Sequence, residues 1–239
     1  MHHVVLERWS RGSSPLHARD ARAKLGALLI FLVAVSTTAP RSQVAFAGYA
    51  LLLAVALPVS RLPIAGLLGR AALVLPFSAT FVLITWWSGD PLRALALAEK
   101  SFLSGLAVLL TMATTPLVQL MSALAAAKVP GPLLLVIQFL YRYLFVVSEQ
   151  AQHMRMAALC RRGAGQRAQR SAARFHAAAG AVGVLFARSW ERADGIYHAM
   201  LARGFTGRFP AAVAAPFGWR DAAFLCASAA ASLAVRLQL

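Results

Sequence analysis

Two short segments hold the residues best suited to chemistry between proteins: Cys160-Arg161-Arg162-Gly163 and Leu201-Ala202-Arg203-Gly204. Arginine followed by glycine at a helix end is first of all a cap. Glycine takes the left-handed conformation that stops the helix, and a cation suits the negative end of its dipole. Taken singly, each copy reads as that and no more. Two copies, each closing a long basic helix, would present a guanidinium at each tip, where it can pair in bidentate fashion with a carboxylate on another chain.

Bond-making chemistry is not in view. The apolar runs Leu25 to Pro40, Gln43 to Ser60, Ala71 to Gly89, Ser101 to Ala127 and Ala222 to Val235 carry no Asp, Glu, His, Lys or Arg. An intramembrane enzyme, the rival of a different class, would need such groups there. Ser78, Thr80, Thr85, Thr111 and Thr114 read instead as helix-to-helix hydrogen bonders. No Gly-x-x-x-x-Gly-Lys-[Ser/Thr] loop occurs, so the chain is not an ATPase of that type. Cys160 and Cys226 form neither a disulfide framework nor a zinc site, and His17, His153, His176 and His198 lack metal-ligand spacing. Met1-His2-His3 has donors that could wrap a square-planar ion, but it reads as idle, and the chain is expected to hold no metal.

The elements that would carry the Arg-Gly tips follow from composition. Of 239 residues 59% are apolar and 13% charged, with mean hydropathy +0.65, against roughly 25% charged in a soluble domain. The chain therefore belongs in a bilayer. A net charge of +16 could mark nucleic acid, but in a membrane protein basic residues collect on the cytoplasmic side, so the charge records topology and nucleic acid is not an expected partner. Arg8, Arg11, Arg19, Arg22 and Lys24 precede the first apolar run, which predicts a cytoplasmic amino terminus without a cleaved signal. The further run Val129 to Ser148 is interrupted by Arg142. If it crosses, six spans result and Gln150 to Arg208, with ten arginines against Glu191 and Asp194 for a net +8, falls outside. That violates the positive-inside bias, so five spans are preferred, with Val129 to Ser148 along the membrane face or under other helices.

Pro116 ends the fourth span, and Pro130-Gly131-Pro132 makes the next break. From Leu133 to Arg162 there is neither Pro nor Gly, which predicts one long helix stopped by Gly163. A second runs from about Arg170 to Arg203, with Gly180, Gly183 and Gly195 placed for close crossing with the first. Trp86-Trp87 reads as an interfacial anchor, and Glu99-Lys100 as a surface ion pair at the mouth of the fourth span. Arg142, a cation in an apolar run, is expected to face protein or water.

Three stretches resemble a known family: Ser14-Pro15-Leu16-His17 with Asp20-Ala21-Arg22-Ala23-Lys24; Thr114-Thr115-Pro116 followed by Tyr141-Arg142-Tyr143; and Arg188-Ser189-Trp190-Glu191-Arg192-Ala193 leading to Ala199-Met200-Leu201-Ala202-Arg203-Gly204-Phe205. They resemble the transmembrane T component of energy-coupling-factor (ECF) transporters, most closely the CbiQ family of cobalt uptake systems. The resemblance implies an all-α fold of polytopic membrane helices with a cytoplasmic coupling domain of two to three helices: residues 1–24 cytoplasmic, 25–118 the first four spans, 119–210 the coupling helices and 217–239 the last span, in the cell (inner) membrane. It implies a non-catalytic coupling subunit with no cofactor of its own, ATP and Mg being held by two ATPase subunits. A substrate-binding membrane subunit of CbiM type, with a small accessory membrane subunit in some systems, and the lipid bilayer complete its partners. Carried over, Arg162 with Gly163 is the first docking motif and Ala202, Arg203 and Gly204 the second. Arg161 stands where the family has alanine and, with Glu191 and Arg192, is a secondary candidate. Arg142 is the candidate for contact with the substrate subunit. T components of nickel and vitamin importers resemble the chain in the same motifs, so the cargo stays open among these at this point.

Overall fold

The computed structural model describes residues 9–10, 12–162, 171–207 and 217–237. Within them the regular structure is helical, with no strand. We number the helices α1 (Ala21–Thr37), α2 (Gln43–Ser60), α3 (Ile64–Ala72), α4 (Leu75–Trp87), α5 (Pro91–Thr114), α6 (Leu117–Ala126), α7 (Gly131–Arg162), α8 (Ser171–Ala202) and α9 (Trp219–Leu237).

Prolines and caps set these limits. Asp20 caps α1, its carboxylate accepting from the Arg22 backbone N–H at 2.7 Å. Pro76 lacks the N–H that would join α4 to α3, and the two helices meet at a 47° bend. Thr115, extended ahead of Pro116, separates α5 from α6.

The chain divides into two compact units, Met1–Ala127 with Ala212–Leu239, and Lys128–Ala211. In the first, α5 packs against α2, α3, α4 and α1, while α9 returns to α1 and α2 and α6 lies on α1. The core is built on fully buried Tyr49, whose ring meets Phe31 edge-on at 5.6 Å and whose hydroxyl lies 3.1 Å from Thr38 Oγ1. Val35, Phe46, Leu103 and Leu110 surround it. A Cβ on Gly48 would stand 2.9 Å from Val235 Cγ1 and one on Gly26 would stand 3.1 Å from Leu225, so the absence of side chains is what lets α9 lie against α1 and α2. Residues 119–126, grouped by sequence with the coupling helices, fall within this first unit.

By length and composition α2, α5 and the stretch Gly131–Arg161 of α7 are able to cross a membrane, and the bent pair α3 and α4 adds a fourth if it is counted as one broken span. The expected set of five differs from this one at both ends of the chain. The first and last expected spans lie in α1, which has 17 residues, and in α9, where Arg220, Asp221 and Arg236 all fall within 19 residues. Conversely, the single Arg142 does not stop Gly131–Arg161 from qualifying. Helix α5 also starts at Pro91 rather than near Ser101, so Glu99 and Lys100 lie inside it. The protein is an all-α polytopic membrane protein.

Candidate functional site

The Arg-Gly motifs lie in the second unit, where α7 and α8 have 32 residues each, about 48 Å at 1.5 Å per residue. The end of α8 is fully defined. Gly204 takes φ +78°, its N–H donates to the Leu201 carbonyl at 2.9 Å, and the Phe205 N–H donates to the Met200 carbonyl at 3.0 Å. These paired bonds form a Schellman cap. Arg203 is therefore the capping residue directly after the last residue of α8, and it is exposed with Ala202 beside it. On α7, Arg161 is exposed and Arg162 closes the helix. Gly163, the glycine of the first motif, lies outside the described residues, as do His2 and His3.

Glu191 and Arg192 are exposed on α8, eleven or more residues before Arg203, about 16 Å or more at 1.5 Å per residue. They are not gathered at the tip. Arg142 is exposed on α7 with its guanidinium 5.9 Å from the Tyr143 ring centroid. The glycine expectation fails: a Cβ on Gly180, Gly183 or Gly195 would meet nothing within 4 Å. Small residues permit close helix crossing without compelling it.

Sequence reasoning missed how uncovered α8 is. Phe175, Val182, Phe186, Trp190 and Tyr197 recur at i, i+7, i+11, i+15 and i+22, which places them on one face, and each is between 51% and 73% exposed. The spacing was there to be read.

A polar node in the first unit was also missed. Lys24 is 4% exposed, and its ammonium donates to the Thr114 carbonyl at 2.9 Å and more loosely to the His17 carbonyl at 3.4 Å. Asp221 of α9 accepts from the Asp20 and Gly218 backbone N–H groups at 3.0 and 3.2 Å. His17 Nε2 lies 2.9 Å from the Trp9 carbonyl, which can only accept, so this nitrogen carries a proton. In the neutral ring Nδ1 then accepts from the Ser14 hydroxyl at 2.7 Å. Two stretches singled out separately in the sequence, Ser14 to Lys24 and Thr114 to Pro116, thus meet in space. The sequence signal was weak: single charges just ahead of apolar runs.

The Glu99-Lys100 pair does not form as expected. Lys100 donates to the Ser36 and Thr38 carbonyls at 2.8 and 2.7 Å, and Glu99 Oε2 is buried without a hydrogen-bond partner. The end of α1 leaves free carbonyls that compete successfully for the ammonium. Among the described residues no three His, Cys, Asp or Glu side chains stand together in a way that could hold a metal ion.

No curated protein matches the sequence. The family model described as CbiQ, cobalt transport protein, matches residues 12–212. That interval takes in Lys24 and Thr114, the bent pair, both long helices and the Schellman cap, and so most of the chain: the protein belongs to the CbiQ cobalt transport protein family and is a membrane component of cobalt transport.

Proposed function

We propose that the chain is the transmembrane coupling (T) subunit of an ATP-driven ECF-type cobalt importer. In this reading Arg162 with Gly163 and Ala202-Arg203-Gly204 attach it to two ATPase subunits, and it also holds a substrate-binding membrane subunit of CbiM type. The observation that carries the reading is the exposed Arg203 at a capped, rigid helix end. A helix locked at its tip moves as a unit. Closure of two ATPase subunits around nucleotide would then displace the tips, and the helices would pass that displacement toward the membrane. The bare apolar face of α8 supports the same reading, since exposed aromatic side chains in such a row mark a surface meant to be covered.

The side of the membrane follows from parity and charge. Four crossings through α2, the bent pair, α5 and α7 return the chain to its starting side, and so do four expected spans before residue 118. In either reading the basic residues beyond Arg161 share a face with the basic amino terminus, which the positive-inside bias favours as cytoplasmic. Metal selection belongs to the partner that binds the cargo.

The test is co-purification of the ATPase subunits with the tagged chain in neutral detergent. Gly204→Val places a β-branched residue in a left-handed conformation that costs about 1–2 kcal/mol. The last turn of α8 should fray and ATPase recovery should fall several-fold, although Arg203 itself is untouched. Full recovery with Gly204→Val would show that the rigid tip plays no part in attachment.

A further inference from the structure

A groove of about 570 Å³ lies between α7 and α8 within the second unit. Its floor is small and apolar, with Ala157 and Ala158 on α7 facing Gly180 and Ala181 on α8. Such residues would let the two helices close on each other. Yet a Cβ on Gly180 would touch nothing within 4 Å, so the groove is open beside it. Two guanidiniums, Arg161 and Arg188, line the same groove together with His153, and no carboxylate does. Neither arginine has an ion-pair partner among the described residues.

We propose that this groove seats an acidic helical segment of a partner protein, its small apolar side chains on the alanine and glycine floor and its carboxylates on Arg161 and Arg188. The lining of α7 runs from Gln150 to Arg161, about 16 Å or three helical turns, which is far longer than one phosphate headgroup needs. A helix laid in a groove of this kind gains apolar contact along its length, and two fixed cations set its register. The proposal rests on reading residues 128–211 as a protein-docking unit; the groove runs along the helix flanks and shares only Arg161 with the tips, to which ATPase attachment is assigned.

The test uses the full chain in neutral detergent and two synthetic probes of about 15 residues, long enough to be helical. Both are alanine-rich with the same number of glutamates, held on one face in the first and scattered around the helix in the second. Fluorescence anisotropy should show the one-faced peptide binding at least about tenfold more tightly. Arg188→Glu, with Arg188→Gln as the milder variant, and Gly180→Trp, which fills open space, should each lose that preference. Gly183→Trp, off the groove lining, should keep it. Circular dichroism of each variant confirms that the helices are intact. Equal binding of the two peptides overturns the proposal. So does displacement of the one-faced peptide by phosphatidylglycerol nanodiscs, which would make the groove a headgroup site. Arg203→Glu separates the two readings. If that variant sheds the ATPase while the peptide never binds, the groove proposal falls and the docking reading stands. Binding that persists in Arg203→Glu supports the groove as a separate surface.

Discussion

Arg203→Glu is expected to detach the proposed ATPase subunits while the chain still inserts and folds. Arg203 is exposed, and no ion pair within the described residues depends on it. Its loss therefore costs the chain little beyond the penalty of a carboxylate at a helix C-terminus, about 0.3–1 kcal/mol. At a docked interface the effect is far larger. Breaking a desolvated guanidinium–carboxylate pair costs about 3–5 kcal/mol, a weakening of roughly two to three powers of ten, and reversal adds repulsion. Arg162→Glu should act in the same direction more weakly, because Arg161 beside it supplies a second cation. The doubly substituted chain should retain no ATPase on a column while its membrane yield is unchanged. Unchanged co-purification of the ATPase with that double variant would remove the basis of the coupling reading.

The second large effect is expected in the first unit. Lys24→Glu should prevent stable assembly of the helix bundle. The lysine is almost wholly buried, bonds the carbonyl of Thr114 and feels the attraction of both Asp20 and Asp221. Glutamate there would leave three carboxylates together with no cation, and an uncompensated buried charge costs about 3–5 kcal/mol. Lys24→Met keeps the aliphatic stem and removes only the ammonium, leaving the Thr114 carbonyl without its partner at about 1–3 kcal/mol. Thermal unfolding in detergent should rank wild type above Lys24→Met and place Lys24→Glu far below both. A Lys24→Glu chain as stable as wild type would show that the node does not hold the bundle together. Because the Met variant leaves residues 128–211 untouched, it should still retain the ATPase, which separates this effect from the first.

What could be read in the sequence was what glycine and proline punctuate. The ends of α7 and α8 were placed within a few residues because Gly131, Pro132, Arg162 and Arg203-Gly204 are local signals. The expected caps and tips needed only those residues. Span assignment was harder, since α1 and α9 are short or charged at their ends and depend on packing against neighbours that no local window contains. Lys24 was hidden for a related reason: its acceptor is a backbone carbonyl 90 residues away, and carbonyls carry no residue identity. Gly180 misled because smallness states what is allowed and not what neighbours it meets.

The central claim is that the basic helical unit faces the cell interior, where ATP is hydrolysed. Cys160 is exposed on α7 directly before Arg161 and Arg162, and with Cys226 replaced by serine it is the sole thiol of the chain. A membrane-impermeant maleimide should leave Cys160 unlabelled in intact cells and label it fully in inverted vesicles. Labelling at the outer face of intact cells would place the arginine tips away from any ATPase and contradict the account.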